Sequence, residues 1–450
     1  MARPNFIVFL TDDHGYGDLS CMGGTEFRTP HLDRLAREGA RFTDWYSNSA
    51  VCSPARASLL TGRYPGNAGV RSILKGHRTA TGLPAHVPTL ATALKREGYE
   101  TAMVGKWHLG LKNGCRPLDH GFDHWFGFLA GCIDYYSHIF YWGMNNPGPG
   151  INPTHDLWED DQEVWCNGEY FTEAITRKAI DYMRQAARAG RPFLLYVPYN
   201  APHYPMHAPQ AYLERFPDLP RDRQIMAAML SAVDDSIGSI MAEAERLGIA
   251  ADTCTVFTSD NGPSRESRNW LDGTLDPYYG GSSGGFKGHK FSLYEGGIRV
   301  PGIMHWPQRI PAGQVLSEPC AGMDVFPTLL TAAGGDAEKY EIDGVNLLPY
   351  VADGQPLAKR SIFWELAGQR AVRHGKWKLV LDGRLVEDAP MEDQVHLADL
   401  HADPAEAHNL NEKEAAITAE LTSAVDSWHD EISARWEREF TPDQQGTVTH

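Results

Sequence analysis

Four times along this chain a short apolar run breaks off into a loop loaded with acids, amides, lysine or histidine. Amphipathic stretches separate the runs. NFIVFL (5–10) leads into TDDHG, YETAMVG (99–105) into KWHLG, FLLYVPYN (193–200) into APHYP, and TCTVFTS (253–259) into DNG. The intervening stretches HLDRLAREG, TLATALKREG, AITRKAIDYMRQAARAG and QIMAAMLSAVDDSIGSIMAEAERLG carry apolar residues at helical spacing and end at glycine. Continuous apolar runs suit strands buried on both faces. Strands alternating with helices predict βαβ units, hence an α/β fold around a large, mostly parallel sheet flanked by helices. Such sheets bind ligands beyond the carboxyl ends of their strands, where these four loops would lie.

With 450 residues, the core needs no disulfide or structural metal. The seven cysteines are odd in number, widely spaced and without a CxxC pair, which speaks against a disulfide framework or zinc knuckle. A net charge of −17 argues against nucleic acid or an anionic membrane as partner. No stretch reads as a bilayer span. The N-terminus lacks a signal-peptide pattern, so the expected location is cytoplasmic if Met1 is the native start, and periplasmic or secreted if a leader was removed.

Beyond about residue 350 the pattern changes. SIFWELAGQRAVRHGKWKLVLDG reads as an antiparallel meander, and residues 412–436 as a closing helix. The expected division is a catalytic α/β domain over 1–350 and a smaller α+β subdomain over 351–450 with a polar tail. Two long loops, 127–170 and 262–289, are rich in glycine and aromatics.

Asp12 and Asp13 at one strand end, with Asp260 and Asn261 at another, offer a hard, all-oxygen cation site. It suits Ca²⁺ or Mg²⁺ better than Zn²⁺. Taken singly, each pair also reads as a solvated turn. In SAVCSPARASLLTGR, Pro54 opens a short helix and Gly62 ends it. Cys52 is thereby placed at the helix N-terminus, where backbone N–H groups favour an anion, with Arg56 on the first turn. A small buried cysteine with a surface arginine is the plainer alternative.

Cys-Ser-Pro-Ala-Arg followed by Leu-Thr-Gly-Arg resembles the signature of the formylglycine-dependent sulfatases. A second family block is similar to Gly98-Tyr99-Glu100-Thr101 through Gly105-Lys106-Trp107-His108-Leu109-Gly110. TDDHGYGD, Pro202-His203, Ser259-Asp260-Asn261-Gly262, Lys290 with Glu295-Gly296-Gly297-Ile298-Arg299, and Arg373-His374-Gly375-Lys376-Trp377-Lys378 follow in family order. The resemblance implies an alkaline-phosphatase-like fold and hydrolysis of an aryl or carbohydrate sulfate to alcohol and inorganic sulfate. A maturation enzyme would first oxidise Cys52 to Cα-formylglycine.

In the implied chemistry, one hydroxyl of the hydrated aldehyde attacks sulfur. Deprotonation of the other then expels sulfate and restores the aldehyde, an exit that a serine sulfate lacks. The implied metal set is Asp12, Asp13, Cys52, Asp260 and Asn261 around Ca²⁺, with Mg²⁺ the lesser fit. Arg56 would neutralise sulfuryl charge, and Lys106 and Lys290 would grip sulfate oxygens. His108 would take the proton that triggers sulfate release, and His203 would serve the leaving oxygen. A phosphodiester or phosphonate monoester hydrolase on the same constellation is the alternative enzyme. A silent binding protein is the alternative outside enzymes.

The stretch GCIDYYSH (131–138), with Gly168-Glu169-Tyr170, is similar to glycosaminoglycan 4-sulfatases and bacterial arylsulfatases. The two long loops are expected to rim the pocket, with Asp134, His138, Arg265, Trp270 and Tyr278 as candidate contacts. Trp142, Trp158 and Tyr279 are candidate stacking residues. His14 is expected to pack beside the acids, and His77, His289 and His305 have no assigned role.

Overall fold

The computed structural model describes residues 3–143, 152–265 and 279–440. Ten strands form one sheet: β1 (Asn5–Thr11), β2 (Ala40–Phe42), β3 (Glu100–Lys106), β4 (His124–Phe128), β5 (Trp158–Glu159), β6 (Gln162–Glu163), β7 (Phe193–Pro198), β8 (Thr253–Ser259), β9 (Gly302–His305) and β10 (Gln314–Leu316). Their spatial order is β10-β2-β9-β8-β1-β7-β3-β4-β5-β6. The central five, β8-β1-β7-β3-β4, are mutually parallel. Every residue of β1, β7 and β8 is buried, which is why these strands read as unbroken apolar runs. Because β8, β1, β7 and β3 are neighbours, all four loaded loops emerge side by side.

Among the helices are α1 (Pro30–Glu38), α2 (Cys52–Thr61), α3 (Leu90–Arg96), α4 (Phe171–Ala189) and α5 (Arg221–Arg246), with α6 (Ala415–Glu439) the last described element of the chain. In α4 the apolar stripe Ala174, Ile175, Ala179, Met183 and Ala186 is buried. Gly190, at φ 63°, ends the helix by donating to the Ala186 and Ala187 carbonyls. By length and composition α5 is apolar enough to cross a membrane, contrary to the sequence reading. However, 72% of its apolar window is buried inside the protein, against α4 and α1. Its apolar residues thus serve the core.

β2 stops at Phe42, and Trp45–Tyr46 pair instead with Cys320–Ala321. The break falls at Asp44, whose carboxylate is drawn to Arg299 and Arg373.

The C-terminal sheet is an antiparallel meander of β11 (Ser361–Leu366), β12 (Gln369–His374), β13 (Trp377–Gly383) and β14 (Asp393–Asp399), in sequential order. β11 alternates in burial, as a strand with one covered face should. Its core is continuous with the rest: Ile362, Trp364, Ala371 and Val380 pack in one cluster with Tyr46, Val51, Tyr294 and Ile298.

Candidate active site

Cys52 is the first residue of α2. Val51 before it is extended, and Gly62 closes the helix at φ 70°, donating to Ser58 O. All ten helix residues are buried, so the sulfhydryl sits at a helix N-terminus deep in the protein. Its Sγ lies 3.6 Å from Asp12 Oδ1. Burial pushes the thiol up to about 12, against the pull of Lys106 and Lys290. A thiol so placed stays protonated at neutral pH and is a poor thiolate nucleophile.

Asp12 and Asp13 follow directly on β1, and Asp260 and Asn261 on β8, with Thr11 and Ser259 in register. Asp13 adopts φ 62°, and this turn brings both acids to one place. Lys106, the last residue of β3, puts Nζ 2.5 Å from Asp12 Oδ2. Lys290 Nζ lies 2.9 Å from Asp13 Oδ2, and His203 Nε2 is 3.8 Å from the same oxygen. Arg56 donates to Asp260 Oδ2 through Nε (2.9 Å) and Nη2 (2.7 Å), and to Lys106 O through Nη1 (3.0 Å). Burial alone would raise Asp12, but the charges of Lys106, His203, Arg56 and Lys290 hold it well below the usual carboxylate range. Burial and the neighbouring Asp12 charge push Asp260 up to about 7, against Arg56 and Lys106.

The buried cluster could hold a metal ion. Ligand atoms of Asp12, Asp13, Cys52 and His203 lie within 4.8 Å of one another. Asn261 donates through Nδ2 to Asp13 Oδ1 at 2.7 Å, which leaves its buried Oδ1 with no hydrogen-bond partner among the described residues. Such an acceptor is costly unless something electropositive meets it. Asp260 stands slightly apart from this group. Its Oδ2 serves Arg56, and its Oδ1 accepts from Asp13 N at 3.2 Å.

The two histidines occupy definite tautomers. His108, at φ 53°, has Nε2 3.2 Å from the Leu74 carbonyl. A carbonyl only accepts, so Nε2 carries the proton and Nδ1 keeps its lone pair. Nδ1 is buried and unpartnered among the described residues. Burial, then the charges of Lys106 and Arg56, hold His108 well below its ordinary value, so it is neutral at pH 7. His203 donates through Nδ1 to Tyr204 O at 2.6 Å, which turns Nε2 toward the acids. Burial lowers its pKa, while the Asp12 and Asp13 charges raise it.

The structure thus gathers all ten expected residues: Asp12, Asp13, Cys52, Arg56, Lys106, His108, His203, Asp260, Asn261 and Lys290. Sequence reasoning missed three supports. Leu74 fixes His108 through its carbonyl. Tyr135 Oη lies 2.9 Å from both Asn200 O and His203 O and holds the His203 turn. Ser47 Oγ donates to Asp260 O. Tyr135 belongs to the GCIDYYSH stretch, which carried a family signal but no chemical one.

The expected rim contacts fare differently. Asp134 is buried and accepts from the N–H groups of Tyr136 and Ser137, and His138 is fully buried against Phe171. Both are engaged in contacts of the loop, and Asp134 Oδ2 also lies 3.3 Å from His207 Nδ1. Trp158 donates to Asp156, beneath Arg116. Arg265 sits over the exposed Tyr279 ring. Trp270 and Tyr278 lie outside the described residues. His14 packs as expected: its N–H donates to Ser259 Oγ, its ring meets Phe257 edge-on, and burial lowers it to about 4.

The site is thus a buried cysteine at a helix N-terminus, surrounded by an acid cluster, three cations and two oriented histidines. Residues 4–335 match the Sulfatase family model, and residues 284–431 match the model of the C-terminal part of N-sulphoglucosamine sulphohydrolase. The chain belongs to the sulfatase family. It is 36% identical to dog (Canis lupus familiaris) N-acetylgalactosamine-6-sulfatase over 80% of the chain and 68% of that relative. It is 32% identical to human (Homo sapiens) arylsulfatase A over 94% of the chain and 87% of that relative. The crystal structure of Ps i-CgsB in complex with k-i-k-neocarrahexaose superimposes with a TM-score of 0.82 at 30% identity, covering 95% of this chain and 93% of that one. The sulfatase fold is alkaline-phosphatase-like, with the large mixed sheet and the small C-terminal antiparallel sheet described above. The enzyme hydrolyses sulfate esters.

Proposed function

We propose that this sulfatase cleaves a carbohydrate sulfate monoester, with residue 52 as the nucleophile after its oxidation to Cα-formylglycine. The observation that carries the reading is the burial of Cys52 at the start of α2. There its thiol is held protonated and so of little use as it stands, yet it is encircled by Asp12, Arg56, Lys106 and Lys290. An aldehyde hydrate at that position supplies a hydroxyl for attack on sulfur and a second one for release. Names borne by relatives, an N-acetylgalactosamine-6-sulfatase and a structure holding a neocarrahexaose, support a sugar as the esterified alcohol.

Each role follows from geometry. Arg56 is clamped on Asp260 and the Lys106 carbonyl and holds a fixed positive charge beside residue 52. Lys106 and Lys290, paired with Asp12 and Asp13, present ammonium groups to the sulfuryl oxygens. His108 accepts on its unpartnered Nδ1 the proton whose removal releases sulfate. His203 Nε2, or Lys290, donates to the leaving sugar oxygen. Asp12, Asp13, Asp260 and the orphaned Asn261 Oδ1, with residue 52, would hold one Ca²⁺. Bound there, the cation lowers the pKa of the hydrate and offsets sulfuryl charge. Residue 52 is 2% exposed, which favours conversion by the maturation enzyme before the chain folds.

The test is sulfate release from 6-O-sulfated N-acetylgalactosamine and from 4-nitrophenyl sulfate by protein produced with a formylglycine-generating enzyme, with Cys52→Ala as control. Absence of release by fully converted protein would sink the reading. Anomalous scattering identifies the ion. Metal–oxygen distances of about 2.3–2.6 Å fit Ca²⁺, and about 2.0–2.1 Å would assign Mg²⁺ instead.

A further inference from the structure

A cavity of about 620 Å³ opens between the catalytic sheet region and the C-terminal meander. Its size falls within the roughly 300–1,000 Å³ of ligand pockets. Three of its lining residues, Val51, Ile73 and Phe291, are chain neighbours of groups that build the active site. Val51 precedes Cys52, Phe291 follows Lys290, and Ile73 precedes Leu74, whose carbonyl fixes His108. The segments that carry Cys52, Leu74 and Lys290 thus form one side of the cavity. Its far side comes from the β11–β12 turn, the segment after β13 and α6.

Most charges that line it are already matched. Arg71 Nε lies 2.6 Å from Glu365 Oε1, and Arg370 pairs with Asp426. Arg384 differs. It is half-buried, and its Nη1 donates to the Ala389 carbonyl at 3.0 Å, with no carboxylate within ion-pair distance among the described residues. Its backbone is tied to the active site through buried Gln369. Gln369 Oε1 accepts from Arg384 N at 3.0 Å, and Gln369 Nε2 donates to Phe291 O at 2.7 Å, one residue from Lys290. A guanidinium with unspent donors thus has a fixed place relative to the sulfate-gripping lysine. Glu387 and Asp388 also line the cavity.

We propose that this cavity is the subsite for the sugar unit next to the sulfated one, and that Arg384 there reads a second negative charge, a carboxylate or sulfate on that unit. The proposal rests on the sulfatase reading of residue 52. It moves substrate selection from the loops at 127–170 and 262–289 to the C-terminal subdomain. A single-ring aryl sulfate leaves the subsite empty. An anionic disaccharide fills it and gains a charge-assisted, bidentate contact.

The experiment is titration calorimetry on Cys52→Ala protein, which keeps its ligand intact, with and without Arg384→Ala or Arg384→Lys. The probes are 6-sulfated N-acetylgalactosamine and a disaccharide of that sugar linked to a uronic acid. Arg384→Ala should weaken disaccharide binding about tenfold or more, Arg384→Lys by less, and the monosaccharide should change far less than the disaccharide. Equal disaccharide affinity with and without Arg384, or equal losses for both sugars, overturns the proposal. If the disaccharide binds no better than the monosaccharide while converted enzyme still hydrolyses 4-nitrophenyl sulfate, the subsite fails and the sulfatase reading stands. If converted enzyme releases no sulfate while disaccharide binding still depends on Arg384, the subsite stands and the sulfatase reading fails.

Discussion

At residue 52 the protein places a group that is of little use as a thiol among buried charges, Asp12, Arg56, Lys106 and Asp260. The formylglycine reading makes two demands on this residue. Converted chains should be lighter than the encoded sequence by about 18 Da at the peptide that contains residue 52, a change distinct from thiol oxidation at the other cysteines. Cys52→Ala should lose multiple turnover entirely. Cys52→Ser should stop after one event, because an ester sulfate of serine has no second hydroxyl to expel it. Steady turnover by Cys52→Ala would end the mechanism. His203 permits a finer test, since its Nε2 faces the acids while its Nδ1 is committed to Tyr204 O. His203→Ala should cut kcat on a sugar sulfate by about 100- to 10,000-fold. On 4-nitrophenyl sulfate, whose leaving group needs little protonation, the loss should be much smaller. Equal losses on the two substrates would remove His203 from the leaving-group role.

Among the elements, the contact between β3, β4 and β7 sets the position of Lys106. Gly105 adopts φ 138°, and a Cβ there would lie 1.9 Å from Pro198 O. At Gly127, opposite it in register, a Cβ would lie 1.8 Å from Gly105 O. Gly105→Ala must therefore push β3 from its neighbours just where Lys106 leaves the strand. A displacement of about 1 Å at such a site costs about 100-fold in rate. The expected result is a folded protein by circular dichroism with kcat on 4-nitrophenyl sulfate reduced by about that factor. Wild-type kcat would show that the strand end tolerates the shift. These elements were legible in the sequence for a physical reason. Strands buried on both faces leave unbroken apolar runs, and helices packed on one side leave a stripe. The residues at the strand ends were legible because no core needs acids, lysines and histidines there. Leu74, Tyr135 and Gln369 were not. They act through a backbone carbonyl, a phenol hydroxyl and a side-chain amide across tens of residues, and nothing in local pattern marks such a partner. Asp134 and His138 are the converse: polar residues in a long loop look available in sequence, and both are buried in contacts of that loop.

Over the whole molecule, a buried ionic network fastens the C-terminal meander to the active-site half. Lys378 on β13 lies 2.8 Å from Glu295 and 3.1 Å from Glu406, all three fully buried. Glu295 in turn pairs with Arg299 at 3.1 Å and accepts from Tyr46 Oη at 2.7 Å, and Arg373 reaches Asp44 at 2.7 Å. Glu295 lies five residues beyond Lys290, so strain here reaches the site. Two acids compete for Lys378. Burial would raise Glu295, but Lys378, Arg299 and Arg373 hold it down to about 2. Burial, with the charge of Glu295, pushes Glu406 up to about 7 despite Lys378. The sign follows for Glu406. Its folded pKa stands above the ordinary 4.5, so its contribution is fully present below pH 4.5 and is lost as pH rises through about 7. Glu295 has the opposite sign, with a contribution lost only as pH falls toward about 2. Between pH 4.5 and 7.5, urea midpoints should therefore fall more steeply in the wild type than in Glu406→Gln, which cannot ionise but can still accept from Glu295 N as Glu406 does at 2.6 Å. The difference in unfolding free energy accumulated over that window should be on the order of 1–3 kcal/mol. Because the network and the cluster of Trp364, Tyr46 and Val51 span both parts, the effect should appear as one shifted transition for the whole chain. Identical pH slopes in the two proteins would mean that Glu406 stays ionised, with Lys378 shared evenly between the acids.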